Sequence, residues 1–176
     1  MKKEQENSVL MDWISLIATA LIIAFVIHSF ILSSTIIDGS SMNPTLEDRD
    51  RLLVNKISAH INRYQHGDIV EFHAPDRDGD YIKRIIGLPG DTVEILDNEV
   101  YVNGQKIHEN YTSSQITLLT KDQNRWVVEE GQVFVMGDNR MPGGSHDSRS
   151  FDTIDMDSIV GIAFFRFMPL SRIGRL

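Results

Sequence analysis

Hydrophobic residues are concentrated in one continuous stretch near the N-terminus and are spread in short runs over the rest of the chain. The stretch WISLIATALIIAFVIHSFIL covers residues 13–32, within an uncharged segment that runs from Trp13 to Ile37. Twenty helical residues at about 1.5 Å each extend about 30 Å, the thickness of the hydrocarbon core of a bilayer. The apolar region of a cleaved secretory signal is shorter, at about 7–15 residues. The pattern therefore predicts an uncleaved, single transmembrane helix over residues 13–32.

The basic residues on either side of this segment predict its direction. Lys2 and Lys3 precede it, and the next lysine or arginine after it is Arg49. Basic residues that flank a span stay preferentially in the cytoplasm. We therefore expect a cytoplasmic N-terminus over residues 1–12 and an extracytoplasmic part over residues 33–176. His28, near the outer end of the span, is interpreted as an interfacial residue rather than a proton relay.

Beyond the apolar segment, short alternating runs separated by turn residues predict β-strands. Asn103-Gly104 lies between two such runs and is typical of a type I′ hairpin turn, because both turn positions need a positive φ. Many closely spaced strands and few helices indicate a mainly β fold, an antiparallel β-barrel or sandwich-like domain. Residues 97–130 are the expected variable excursion from it. The predicted strands cover residues 51–57, 68–72, 80–86, 92–96, 100–102, 105–107, 132–136 and 160–167.

Composition and charge exclude several functional classes. The 176 residues include no cysteine, so neither a disulfide framework nor a thiolate nucleophile nor a Cys-ligated zinc site can form. The net charge is −8, from 17 basic and 25 acidic residues. Because the basic residues form no cluster that would neutralise phosphates, we expect no nucleic-acid partner.

Three stretches have a composition that packing alone does not require: DGSSMNPTL at residues 38–46, YIKRIIGLPGD at 81–91, and GDNR continuing to SHDSR at 137–149. Each one alone could be an ordinary loop, strand or turn. In the second, strand alternation places Lys83 on the same face as Tyr81 and Ile85. Desolvation there would lower the pKa of Lys83 from about 10.4, so that the amine could accept the proton of a serine hydroxyl. The alternative is a surface lysine whose charged end reaches the solvent.

Taken together and in this order, the three stretches resemble the conserved boxes of the type I signal peptidases. These are membrane-bound serine proteases, also called leader peptidases, that remove signal peptides from exported precursors. The resemblance runs from the anchor to the closing GIAFFRF and is to the Gram-positive-like branch. It implies a Ser-Lys dyad in which Ser41, and not Ser40, is the nucleophile and Lys83 is the general base. It implies no metal and no cofactor.

The resemblance also implies roles for residues around the dyad. The oxyanion hole would use the backbone N–H of Ser41, and Gly39 stands where some members have a hydroxyl donor. Ser145 would hydrogen-bond the catalytic lysine, although the loop Met141–Gly144 before it is longer than the usual pattern. The remaining implied roles are a salt-bridge support formed by Asp147, Arg149 and Arg84, and substrate contacts from Ile37, Met42, Leu46, Tyr81 and Ile82.

The expected partners are preproteins that carry signal peptides, together with the lipid bilayer of the cell membrane. Two other tasks remain open: processing of pilins or conjugation proteins by the same chemistry, and a non-catalytic, membrane-anchored binding module. A self-cleaving Ser-Lys repressor is disfavoured because a membrane span stands where that class needs a DNA-binding domain.

Two rival chemistries have weaker support. A Ser-His-Asp triad would use His146 beside Asp147, but the chain has no GxSxG motif, and we expect His146 to face the solvent. A cation site is suggested by Asp76, Asp78 and Asp80, but the glycine and glutamate that a calcium-binding loop needs are absent. We interpret that segment as a solvated turn.

Overall fold

The computed structural model describes residues 2–176, which form a long N-terminal helix followed by two antiparallel β-sheets. Helix α1 covers Lys2–Val26 and continues through a wider, π-helical turn over Ile27–Ile31. The segment Trp13–Ile31 is long and apolar enough to cross a membrane, and none of it is buried within the fold. Leu32, the last residue of the predicted span, instead begins strand β1.

The larger sheet has eight strands in the order β1-β2-β11-β3-β4-β9-β10, with β12 beside β11. All of its neighbouring strands are antiparallel. Its strands are β1 (Leu32–Ile36), β2 (Arg51–Asn55), β3 (Ile69–His73), β4 (Asp80–Gly87), β9 (Gln132–Met136), β10 (Ile154–Asp155), β11 (Ile159–Met168) and β12 (Gly174–Arg175).

The smaller sheet has four strands in the order β7-β6-β5-β8, and three of them come from the predicted excursion. Two short helices and two single 3₁₀ turns complete the described fold. The strands are β5 (Thr92–Leu96), β6 (Glu99–Val102), β7 (Gln105–Lys106) and β8 (Arg125–Val127); the helices are α2 (Ile57–His60) and α3 (Ser148–Phe151); the 3₁₀ turns are Met156–Ser158 and Leu170–Arg172.

The mainly β, antiparallel prediction is confirmed, and every predicted strand is present with ends shifted by at most two residues. The turn at Asn103 and Gly104 has φ values of 53° and 74°, as a type I′ hairpin requires. The prediction that β2 reaches residue 57 is wrong. The Asn55 side chain accepts a hydrogen bond from the Ile57 N–H at 3.0 Å and turns the chain into α2.

Three buried hydrophobic clusters hold the sheets together, and alternation along β4 assigns its residues to different clusters. Ile85 belongs to a cluster on one face of the larger sheet, whereas Ile86 belongs to the cluster between the two sheets. The third cluster lies under the loop between β1 and β2. Its members are Ile37, Met42, Leu46, Leu52, Val54, Ile69 and Ala163, with Ile82 packed against them. This third cluster fixes the loop that carries Ser41.

Candidate active site

Ser41 lies in the loop between β1 and β2, which buried apolar side chains hold in place. The Ile37 N–H donates to the Asp50 carbonyl at 2.9 Å, which extends the pairing of β1 and β2 into the loop. Immediately after Ser41, the Met42 and Leu46 side chains are fully buried, and the Leu46 N–H donates to the Met42 carbonyl at 2.9 Å. Because the side chains on one side of this turn are in the core, the serine is held at the surface in a defined position.

Lys83 reaches Ser41 from strand β4. Its Nζ lies 2.9 Å from Ser41 Oγ and 3.0 Å from the Ile82 carbonyl oxygen. The residue is only 3% exposed. The pKa of Lys83 is lowered to about 8, chiefly by burial. The charge of Asp147 opposes this shift, and the charge of Arg77 adds to it. A pKa near 8 leaves about one molecule in ten with a neutral amine at pH 7, which is the form able to accept a proton.

The dyad opens into a cleft of about 510 Å³ between two segments of the chain. One wall is formed by residues 35–42 and the other by residues 77–83, with Glu71, Gly144 and His146 completing the lining. Of the predicted substrate-contacting residues, Ile37, Met42, Tyr81 and Ile82 line this cleft. Leu46 does not, because it is fully buried in the third cluster. The expected substrate contact of Leu46 is therefore not seen in this structure.

The backbone N–H of Ser41 is available as a hydrogen-bond donor for an oxyanion. Within residues 2–176, the Ser41 N–H has no hydrogen-bond partner. The Gly39 N–H is engaged, since it donates to the Asp48 carboxylate at 2.9 Å. Gly39 has a φ of +99°, a backbone conformation that favours glycine even though a Cβ here would meet no other atom within 4 Å. Gly39 therefore contributes a turn before Ser41 rather than a side-chain donor.

Asn139, for which the sequence predicts no role, joins the third stretch to the serine loop. Its N–H donates to the Ser41 carbonyl at 3.0 Å, and its Nδ2 donates to the Ser40 carbonyl at 3.0 Å. These bonds hold the two residues by their backbone carbonyls, so the Ser41 hydroxyl stays available to Lys83. The GDNR stretch is recognisable in the sequence, but only the pairing of the loops in the fold reveals this contact.

Arg84 forms a buried ion pair with Asp138, and not with Asp147 as expected. Its Nε and Nη2 lie 2.9 and 2.6 Å from the two carboxylate oxygens of Asp138. Thr45, in the serine loop, donates its hydroxyl to the same carboxylate at 2.5 Å. The physical reason is register: Arg84 pairs with Met136 across the β4–β9 ladder, and Asp138 follows two residues later. This pair therefore supports the serine loop directly.

Asp147 pairs with Arg149 through two bonds of 2.8 Å and accepts the Gly137 N–H at 3.0 Å. Burial raises the pKa of Asp147, but the hydrogen bonds and charge of Arg149, together with the bond from the Gly137 N–H, outweigh burial and leave the pKa lowered. The expected pairing of Asp147 with Arg149 is present. The aspartate also caps α3 by accepting the Arg149 N–H.

Ser145 is buried close to the dyad but is not bonded to Lys83 in the described part of the chain. The amine donates to Ser41 and Ile82 instead. A Cβ built on Gly137 would meet Ser145 Oγ at 2.3 Å, so the Ser145 side chain packs directly on this glycine. The expectation that Ser145 hydrogen-bonds the lysine is therefore not met in this structure.

The two rival chemistries are not assembled. His146 Nε2 lies 2.5 Å from Asp76 Oδ2, and its ring packs edge-on against Tyr81, so it bonds neither Ser41 nor Asp147. Its side chain is 51% exposed. His146 therefore faces the solvent, although one edge of its ring contacts Tyr81. Asp80 bonds His73 at 2.7 Å. Within the described residues, no group of three or more acidic or histidine side chains converges as metal ligands do.

Comparisons with known proteins agree with one another. The family model described as "Signal peptidase, peptidase S26" matches residues 10–168. Signal peptidase I of Bacillus licheniformis is 37% identical over 99% of this chain and 97% of that protein. Signal peptidase IB of Staphylococcus aureus strain Mu50 is 41% identical over 97% of this chain and 93% of that protein.

A crystal structure of a signal peptidase I from Enterococcus faecalis V583 is also similar, with 35% identity over 57% of this chain and 96% of that one and a TM-score of 0.49. The near full-length identity to the two curated relatives and the family match over most of the chain decide the assignment. The chain belongs to the signal peptidase I family, peptidase S26.

Proposed function

We propose that Ser41 is the nucleophile and Lys83 the general base with which this chain cleaves signal peptides from exported preproteins. The chain is a signal peptide-cleaving serine peptidase by its family. The observation that carries the residue assignment is the distance of 2.9 Å between Ser41 Oγ and the Nζ of the buried Lys83. A non-catalytic binding module would need neither a desolvated amine nor a hydroxyl within reach of it.

The substrate would bind as an extended strand between the two walls of the cleft. Ile37 directs its N–H and carbonyl toward Asp50 and Arg49, so the backbone groups of Asp38 point the other way, toward the cleft. On the opposite wall, β9 pairs with β4 only from Arg84 onward, which leaves residues 80–83 unpaired on that side in the described fold. Both edges offer backbone hydrogen bonds that do not depend on the substrate sequence.

The reaction would begin when the neutral amine of Lys83 removes the proton of the Ser41 hydroxyl as Oγ attacks the scissile carbonyl carbon. The negative charge then develops on the carbonyl oxygen, within reach of the Ser41 N–H. The ammonium of Lys83 next protonates the leaving amine, and the bond to the mature protein breaks. A water molecule, deprotonated by the same lysine, releases the signal peptide from Ser41 as a carboxylate.

The test is processing of a reporter preprotein in cells that lack other signal peptidase activity. Ser41→Ala should reduce the cleavage rate at least about 10³-fold, because no other nucleophile is positioned. Ser40→Ala is the matched control, since Ser40 is held by its backbone carbonyl and its hydroxyl has no contact with Lys83. Normal processing by Ser41→Ala, or equal losses in both variants, would contradict the proposal.

We further propose that residues 1–12 are cytoplasmic, residues 13–32 form the membrane anchor and residues 33–176 form the extracytoplasmic catalytic domain. The support is the single apolar helix and the lysines that precede it. Because the chain has no cysteine, Ser8→Cys and Ser171→Cys each introduce one reporter thiol. An impermeant thiol reagent applied to intact cells from which the wall has been removed should label the second variant and not the first. The opposite labelling would contradict this topology.

A further inference from the structure

Glu71 is a buried acidic residue in the wall of the cleft that the proposed mechanism does not use. It lies in the middle of β3, opposite Ile82 on β4, and is 6% exposed. Alternation along β3 places it on the same face as Ile69, a member of the hydrophobic third cluster. An acidic side chain is rarely buried among apolar residues without a partner, because its desolvation costs free energy.

The carboxyl group of Glu71 is not neutralised by the protein. It forms no ion pair with any of the described residues. Burial raises the pKa of Glu71, and the nearby Thr35 hydroxyl opposes that shift more strongly than the charges of Asp80, His73 and Lys56 affect it. Two carboxylate oxygens can accept about four hydrogen bonds, so a single nearby hydroxyl could fill only part of this capacity. Glu71 lines the cleft, where a bound substrate could supply further donors.

The position of Glu71 along the cleft indicates which substrate residue it would meet. Glu71 lies directly opposite Ile82, the residue before Lys83, so it is one strand away from the part of the cleft wall beside Ser41 and Lys83 that Met42 and Tyr81 line. In an extended peptide, alternate side chains point to the same wall at a spacing of about 6.6 Å. The residue just before the cleaved bond would therefore meet the wall near Met42, and the third residue before it would meet the wall near Glu71.

We propose, building on the proposed function, that Glu71 is a specificity-determining residue that selects serine or threonine at the third position before the cleaved bond. A hydroxyl there would donate to the carboxyl group that the fold leaves without a full set of partners. Valine has nearly the same shape as threonine but offers no donor, so its binding would desolvate Glu71 without replacing the lost hydrogen bonds to water.

The experiment compares three preproteins that differ only at this third position, with alanine, threonine or valine, using the full-length chain in detergent or vesicles. The wild-type chain should cleave the threonine substrate with a kcat/KM about tenfold above that for valine, as expected for a hydrogen bond to a charged group. Glu71→Val should bring this ratio to about one, and Glu71→Gln should give an intermediate ratio. Glu130→Gln, an exposed residue outside the cleft, is the matched control and should keep the wild-type ratio.

The outcomes separate this inference from the proposed function. Wild-type cleavage of the alanine substrate without preference for threonine over valine would overturn the role of Glu71 and leave the dyad assignment intact. An unchanged ratio in Glu71→Val or Glu71→Gln would also overturn it. Failure of the wild-type chain to cleave any of the three substrates would instead contradict the proposed function. The wild-type ratio decides the question even if a Glu71 variant does not fold.

Discussion

Lys83 and Arg84 are consecutive residues on β4, and their environments are opposite. Lys83 is buried beside a neutral hydroxyl and a backbone carbonyl, and burial lowers its pKa to about 8. Burial acts in the same direction on Arg84, but the hydrogen bonds and charge of Asp138 outweigh it and raise the pKa. Burial alone therefore does not decide the direction of the shift: the carboxylate partner keeps Arg84 charged, and Lys83, which has no carboxylate partner, is the residue proposed as the base.

The same comparison separates chemistry from support. Arg84 also donates to the Gly67 carbonyl at 2.8 Å and stacks 4.0 Å from the ring centre of Tyr111. Its partner Asp138 accepts the Thr45 hydroxyl, so the pair links β4 to the loop of Ser41. A permanently charged guanidinium suits this structural task, whereas the proton transfer needs an amine that can become neutral. Four predictions test this division, from the largest expected effect to the smallest.

Replacing Lys83 with methionine should abolish cleavage and stabilise the fold. The rate should fall at least about 10³-fold, because no other base contacts Ser41 within the described residues. The pKa of Lys83 is about 8 in the folded protein and 10.5 in the unfolded chain, so at pH 7 the lysine is mostly protonated in both. The folded protein therefore carries the free-energy cost of a buried charge. Removing it should raise the free energy of unfolding by about 2–3 kcal/mol.

The measurement is urea unfolding of Lys83→Met and wild type at several pH values. Since the pKa of Lys83 is lower in the folded state, wild-type stability should rise as the pH passes from about 8 to 10.5, and the advantage of the variant should disappear over that window. A variant that is less stable than wild type at pH 7 would show that Lys83 is structural.

Replacing Asp138 with asparagine should destabilise the protein by about 3 kcal/mol, because it leaves the buried Arg84 without its counter-charge. Thermal unfolding of the full chain in detergent measures this loss. Asp122→Asn is the control, since Asp122 is exposed and forms no ion pair or hydrogen bond with the described residues. Equal effects of the two substitutions would contradict the support role of the Arg84–Asp138 pair.

The pH dependence of cleavage should report the Lys83 pKa directly. With a folded pKa of about 8, kcat/KM should rise about tenfold between pH 6 and pH 7 and level off above pH 8. The measurement is initial rates with a peptide substrate that has no group titrating in this range. A profile that is flat from pH 6 to pH 9 would show that another group is the base.

Replacing Arg77 with alanine should give the smallest effect. Its guanidinium stacks 4.5 Å from the Tyr81 ring centre, and its charge contributes to lowering the pKa of Lys83. Without that charge, the midpoint of the pH profile should move upward by a few tenths of a pH unit, while the plateau above it stays close to wild type. A downward shift would mean that Arg77 acts on the lysine in some other way.

Local sequence patterns predicted most of the fold. Period-two alternation located eight of the twelve strands, and Asn103-Gly104 identified a hairpin, because these features depend on neighbouring residues. The missed strand β1 has the sequence LSSTI, which lacks an apolar alternation and exists through its pairing with β2. Strand β8, within the predicted excursion of residues 97–130, has no clear alternation and was likewise not predicted. It forms through its pairing with β5 in the smaller sheet.

The positions of the site residues were predictable where a single strand determines them. They were not predictable where they depend on contacts between segments that are distant in the sequence. Alternation within β4 places Lys83 on the same face as Tyr81 and Ile85, and the resemblance to the signal peptidases favoured a buried base over a surface lysine. Choosing between Asp138 and Asp147 as the partner of Arg84 requires the register of β4 against β9, which no local pattern contains. The positions of Ser145 and Leu46 depend in the same way on contacts with Gly137 and the third cluster.

The direct passage from the N-terminal helix into β1 limits where a bond can be cut. Ser41 is only the tenth residue after Ile31, the last helical residue. A chain of that length reaches at most about 35 Å even when fully extended. Ser41 Oγ, the proposed nucleophile, therefore stays within about 35 Å of the end of the helix. A polypeptide can be cleaved only if its scissile bond comes within that distance of the helix end.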